Sequence, residues 1–313
     1  MILNNNFIFD FPSYVAPAFR ISPFKTDDII INKHLNEVNG DNNFEEFIDK
    51  KYLDKKYTIT ADGRSAIGMA LEQLNLRKND IVTIITTSNN LYISGCVTSK
   101  IEEYCQWSRN LEENTKVILI NHEFGYCVED VEYYKSLGLP IIEDFAHSFI
   151  SNNSKNTAGI YGDFLIFSLS KFFPIQVGGL LIYNQKYNVK EKLETSINTY
   201  ISNVVSHYIG NIENFKKRRL VNYEYYKKLF NVLNIVPFFK LNENNYPAVF
   251  CFEVPKVIDL NDMKIYINSH GIESSIFYGE NAYFVPNHQN LKKEEIDFIF
   301  NVVKIYLNKN GVL

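Results

Sequence analysis

Short apolar runs rich in valine and isoleucine recur along the first two thirds of the chain, separated by helical patterns or turn residues. The runs are DIVTIITT (80–87), IEEYCQW (101–107), KVILIN (116–121), LPIIED (139–144), DFLIFSL (163–169) and GGLLIYN (178–184). Apolar at nearly every position, they suit strands buried on both faces of a mostly parallel sheet. Between them, RSAIGMALEQLNL sets Ile67, Ala70, Leu71 and Leu74 at spacings of three and four, which predicts a helix over 64–76 packed by one face. The segment VEDVEYYKSLG predicts a crossover helix ended by Gly138, with Pro140 opening the next strand. Together these elements predict an α/β domain.

Beyond Asn184 the pattern changes. Residues 190–234 are expected to be mostly helical, ending in KKRRLVNYEYYKKLFNVL. Two strands (VPFFK and AVFCFEVP), a helix (LNDMKIYINSHG) and a terminal helix (EEIDFIFNVVKIYL) are expected to follow. The expected organisation is a large α/β domain with an N-terminal arm over 1–205, a connecting helix over 206–235, and a small α+β domain over 236–313.

With 313 residues, 46% of them hydrophobic, the chain can bury a core without a metal or disulfide staple. Lysine and arginine (32) nearly balance aspartate and glutamate (36), for a net charge of -4. Neither nucleic acid nor a membrane surface is therefore an expected partner. Cys96, Cys105, Cys127 and Cys251 form no CxxC pair and have no histidine at zinc-finger spacing. Free thiols in a reducing cytoplasm, and no metal site, are the expectation. The start, MILNNNFIFDFPSYV, has no basic n-region and carries Asp10, unlike a signal peptide. No apolar run approaches the ~20 residues a membrane span needs. An enzyme or a ligand-binding protein of the cytoplasm is expected.

Three segments carry candidate chemistry, each at the end of an expected strand or the start of a helix, the edge where open α/β sheets bind ligands. In TADGRSAI, Asp62-Gly63-Arg64-Ser65 opens a helix, whose free amides and dipole can seat a phosphate. Taken alone, the same residues read more readily as an ordinary Asp/Gly helix cap. In IIEDFAHSF, Asp144 ends an apolar strand and His147 follows three residues on. A carboxylate desolvated there needs a positive partner. In DFLIFSLSKFFPIQVGGLLIYN, Lys171 follows an apolar strand and precedes Phe172-Phe173-Pro174, with Ser168 and Ser170 beside it and Gly178-Gly179 returning the chain. An enclosed lysine exposes a nucleophilic lone pair, whereas a turn lysine is merely solvated. Pyridoxal phosphate needs these three parts: a phosphate cradle, an acid for the pyridine nitrogen and a lysine for the aldehyde.

The order helix start, ED-x-AH, G-D, FS, K, GG resembles the DegT/DnrJ/EryC1/StrS sugar aminotransferases, which have the fold type I of aspartate aminotransferase. The similar stretches are DGRSAIGMALEQLNLRKNDIV, TKVILINHEFGYCVEDVEYYKSLGLPIIEDFAHSF and AGIYGDFLIFSLSKFFPIQVGG, with weaker echoes in RRLVNYEYYKKL and VPNHQNLKKEEIDFI. The resemblance implies a mostly parallel three-layer pyridoxal phosphate transferase domain and a small α+β C-terminal domain. It implies that Lys171 forms the internal aldimine, that Asp144 binds the pyridine nitrogen and that His147 contacts the phenolic oxygen. Gly63, Arg64, Ser65 and Ser168 would hold the phosphate. Where relatives place an aromatic over the ring, TTSNNLY offers Asn89, Asn90 or Tyr92, and Asn89 is the expected contact. The resemblance further implies a homodimer with a shared site. The expected reaction transfers an amino group, from glutamate, to a nucleotide-linked keto-sugar for surface-glycan synthesis. A non-catalytic or regulatory protein that kept the fold is the alternative.

Overall fold

The structure is a computed structural model that describes residues 17–37 and 40–312. The opening segment MILNNNFIFDFPSYV, and with it most of the expected N-terminal arm, lies outside the described residues. The described chain forms two compact units. The larger comprises residues 22–217 and 241–248; the smaller draws on the residues before it, on 218–240 and on the chain from 249 onward.

The larger unit is built on strands β1 (Lys55–Thr60), β2 (Ile81–Thr86), β3 (Gln106–Ser108), β4 (Thr115–Asn121), β5 (Ile141–Asp144), β6 (Phe164–Ser168) and β7 (Gly179–Asn184). They lie in the order β1-β7-β6-β5-β4-β2-β3. β7 runs antiparallel to both β1 and β6, and the remaining pairings are parallel. Its helices are α1 (Asp28–Glu37), α2 (Asn43–Lys51), α3 (Gly63–Glu72), α4 (Gly95–Glu102), α5 (Val131–Ser136) and α6 (Thr195–Ile209). Helix α7 (Ile212–Asn231) follows.

The apolar runs feed two cores at once. Phe164 and Ile166 of β6 pack with Ala66, Ile67, Ala70 and Leu71 of α3 and Val97 and Ile101 of α4. Leu165 and Phe167, which alternate with them, pack on the opposite face with Phe44 and Ile48 of α2 and Ile201, Val204 and Val205 of α6. The same alternation in β4 sends Val117 and Leu119 one way, and Ile118 and Ile120 toward Val131 of α5. A strand covered on both faces has no position left for a polar side chain, hence its unbroken apolar run.

Some expectations shift in detail. The run 101–107 is the end of α4 followed by a three-residue strand, because Ile101 continues the buried stripe of Val97 one turn earlier. The expected strand VPFFK is reduced to one antiparallel bridge, Pro237 with Phe252, flanked by Phe238 N donating to Cys251 O at 3.0 Å and Glu253 N donating to Val236 O at 3.1 Å. The helical stretch 190–234 divides into α6 and α7 around Gly210, the C-cap of α6.

In the smaller unit, β8 (Val249–Glu253), β9 (Ser275–Phe277) and β10 (Ala282–Pro286) form an antiparallel sheet in the order β8-β10-β9. Helices α8 (Leu260–Ser269) and α9 (Lys293–Lys309) belong to it, as does the second part of α7. Tyr226 of α7 stacks on Phe250 of β8 at 5.1 Å between ring centres, and Phe230 tilts onto Phe252 at 4.6 Å.

Candidate active site

Because β7 is reversed, the C-terminal ends of β1, β2, β4, β5 and β6 and the start of β7 meet at one edge of the sheet. Thr60, Thr86, Asn121, Asp144, Ser168 and Gly179 mark that edge. It is the edge at which parallel sheets with helical crossovers bind ligands.

The anion seat is the start of α3. Asp62 caps the helix, its Oδ1 accepting from the Ser65 amide at 2.7 Å and from the Ser65 hydroxyl at 2.8 Å. The hydroxyl expected for an anion is thus engaged on the cap. The amides of Gly63 and Arg64 precede the point where intrahelical bonding begins and point out of the helix start. A Cβ on Gly63 would lie 3.5 Å from that of Ser168, so the helix start and the end of β6 stand in contact. The return through Gly178 and Gly179 closes the seat from below. Gly178 adopts a φ of 113°, donates to Ala61 O at 2.8 Å and accepts from Leu169 N at 2.9 Å.

Asp144 closes β5 in register with Asn121 and Ile166, and is buried. Its Oδ1 accepts from the Ala146 amide at 2.8 Å. Burial pushes its carboxyl above the ordinary value; the Ala146 bond and the Lys171 charge offset part of that. Lys171 ends a 3-10 turn, Leu169–Lys171, directly after β6. Phe172 and Phe173 beyond it are buried against Phe149, with ring centres 4.9 and 5.1 Å away, which fixes the backbone that carries the lysine. The Lys171 Nζ stands 2.8 Å from His147 Nε2. At that distance a Lys171 ammonium donates to an unprotonated Nε2.

The structure therefore brings Asp144, His147 and Lys171 to one edge with Gly63, Arg64, Ser65 and Ser168. Asn89 lies in the turn after β2, exposed, with a φ of 59°, and Tyr92 is also exposed. The aromatic found against His147 is Phe124, edge-on at 5.2 Å. It sits after β4 in a left-handed conformation (φ 53°), where its carbonyl accepts from Ala248 N at 2.8 Å. Gly125, at φ 97°, follows, and a side chain there would strike Tyr246 O at 2.5 Å. The Phe-Gly pair at a strand end was the signal in the sequence.

Two further groups frame the edge. Glu143, on the face of β5 opposite Asp144, accepts from His122 Nε2 at 3.0 Å and from the Gly159 and Gly162 amides at 2.9 and 2.8 Å. Val128 N donates to His122 Nδ1 at 3.1 Å, which sets the tautomer. On the side of the anion seat, Arg64 Nη2 donates to Cys96 Sγ at 2.9 Å. Among the described residues no group of three His, Cys, Asp or Glu side chains could hold a metal ion, and no helix is long and apolar enough to cross a membrane.

Residues 44–194 match a family model described as "Putative PLP-dependent aminotransferase". No curated protein matches the chain. Solved structures share its fold at low identity. PseC of Helicobacter pylori, an aminotransferase involved in the biosynthesis of pseudoaminic acid, is 16% identical with a TM-score of 0.70, over 93% of this chain and 99% of its own. A DegT DnrJ EryC1 StrS aminotransferase of Brucella abortus is 16% identical with a TM-score of 0.66, over 89% and 94%. NtdA of Bacillus subtilis, solved with the pyridoxamine form of the cofactor, is 16% identical with a TM-score of 0.67, over 94% and 86%. The seven-stranded sheet and the small antiparallel sheet match the fold type I transferases. The family match and the fold together indicate a pyridoxal phosphate-dependent aminotransferase.

Proposed function

We propose that the chain is a sugar aminotransferase, transferring an amino group from glutamate to the keto group of a nucleotide-linked keto-sugar for surface-glycan synthesis. The observation that carries the reading is the edge itself: a buried carboxylate, Asp144, closes β5, and His147 three residues on stands 2.8 Å from Lys171, which follows the neighbouring strand β6. Its raised affinity for a proton or cation is left partly unmet by the Ala146 bond, which suits a protonated ring nitrogen. Gly63, Arg64 and Ser168 fit a phosphate at the helix start.

Bound there, pyridoxal phosphate supplies an aldehyde for the substrate amine and a ring that draws electrons from the adjoining carbon. Asp144 orients the ring nitrogen and keeps its proton in place. His147, 2.8 Å from the Lys171 Nζ, orients the lysine, which as a free amine can take a proton from carbon and return it. Phe124, against His147, excludes water from that side. The sugar acceptor is supported by the likeness to PseC, an aminotransferase of pseudoaminic acid biosynthesis. A shared site in a homodimer and a cytoplasmic setting belong to the same proposal.

The test is an absorbance titration with pyridoxal phosphate, then glutamate, then candidate keto-sugars. A lysine-bound band that glutamate shifts to the pyridoxamine form is expected, and Lys171→Ala should lack that band. A band that glutamate leaves unchanged would remove glutamate as donor; no band would remove the cofactor.

A further inference from the structure

Arg64 stands in the first turn of α3, where the helix dipole disfavours a cation. Its guanidinium reaches across to Cys96, the second residue of α4, at the start of another helix. Cys96 is the exposed cysteine; Cys105, Cys127 and Cys251 are buried. Two helix starts thus flank one arginine, an arrangement that costs stability until an anion arrives.

The partner's chemistry matters. A carboxylate at position 96 would neutralise Arg64 and compete with an incoming phosphate. A thiol is a weak acceptor: it orients the guanidinium while leaving most of its charge and its other N–H donors available. We infer that Cys96 is a positioning residue, holding the Arg64 guanidinium at the anion seat for the phosphate of the cofactor. The inference rests on the pyridoxal phosphate reading of this edge. The Arg64 bond, the largest influence, and the charges of Arg64 and Lys171 lower the Cys96 pKa, consistent with a sulfur that faces the same seat as the lysine.

The experiment compares pyridoxal phosphate with pyridoxal, which has the same ring and aldehyde but no phosphate. Dissociation constants are measured by absorbance for the wild type, Cys96→Ala, Cys96→Ser, Arg64→Ala and the Cys96→Ala/Arg64→Ala double variant. Cys96→Ala should bind pyridoxal phosphate roughly tenfold more weakly, the scale of one hydrogen bond to a charged group. Its affinity for pyridoxal should be unchanged. Cys96→Ser, which keeps an acceptor, should recover most of the loss, and the double variant should bind no more weakly than Arg64→Ala alone. Equal losses for both ligands, or additive losses in the double variant, would show a general structural effect and overturn the inference. So would a Cys96→Ala variant indistinguishable from the wild type. If the wild type binds neither ligand, the proposed function itself falls, and this inference with it. Iodoacetamide labelling of Cys96 supplies a readout free of activity: pyridoxal phosphate should slow it in the wild type, pyridoxal should not, and equal protection by both would count against the assignment.

Discussion

Replacing Gly179 by alanine should damage both the stability and the anion seat, through one contact. A Cβ there would lie 2.5 Å from Thr60 Oγ1 and closer still to the carbonyl carbon and oxygen of Asp62. Ordinary contact begins near 3.4 Å, so these atoms must yield by about 1 Å. Two of the three obstacles are backbone, which cannot swing aside as a side chain would. The obstructed residue is also the N-cap of α3, held to the Ser65 amide at 2.7 Å, so the displacement passes directly into the helix start. Overpacking at a rigid site costs about 3 kcal/mol, the upper end of its usual range. At 2–4 °C per kcal/mol for a unit of this size, the midpoint should fall by about 6–12 °C. Gly95→Ala is the matched control, a glycine at another helix start, with nothing within 4 Å of the added carbon. Calorimetry and a pyridoxal phosphate titration on both variants check the reasoning. A Gly179→Ala protein that melts with the Gly95→Ala control and binds the cofactor as the wild type does would refute it.

Asp144→Asn should act oppositely with and without cofactor. Burial raises the carboxyl's folded pKa, so its contribution to cofactor-free stability is complete below the unfolded value and is lost as pH rises through the folded one. The cofactor-free variant should therefore melt above the wild type at pH 7, with the gap closing toward pH 4, whereas the cofactor-loaded variant should lose glutamate turnover; a lower melting point of the cofactor-free variant at pH 7 would contradict the assignment. Asp62→Ala removes a cap and should cost about 1 kcal/mol in a urea titration, together with cofactor affinity. Phe173→Ala empties a fully buried position behind Lys171 and should cost about 3–5 kcal/mol, read as a drop in urea midpoint.

Much of the fold is legible in the chain because burial on two faces leaves a continuous apolar run, and β4, β5, β6 and β7 each follow one. The strand β1 begins KKY and was less visible: at the sheet edge its first residues are only partly buried and need not be apolar. The run at 101–107 misled because a helix end and a short edge strand each bury one or two apolar residues, and their sum imitates one strand.

For the site, Asp144 and Lys171 drew attention as a set with the helix start at Asp62–Ser65, since each alone has an ordinary structural explanation, and His147 took its role from the family resemblance. Tertiary structure alone decided that His147 lies 2.8 Å from Lys171, and that Phe124 packs beside His147. It also decided that Arg64 meets Cys96, 32 residues apart in the chain. Periodicity records which face of an element is dry, and that is a local property. Which side chains meet across a sheet edge depends on strand order and on the reversal of β7, and neither leaves a mark on any single segment.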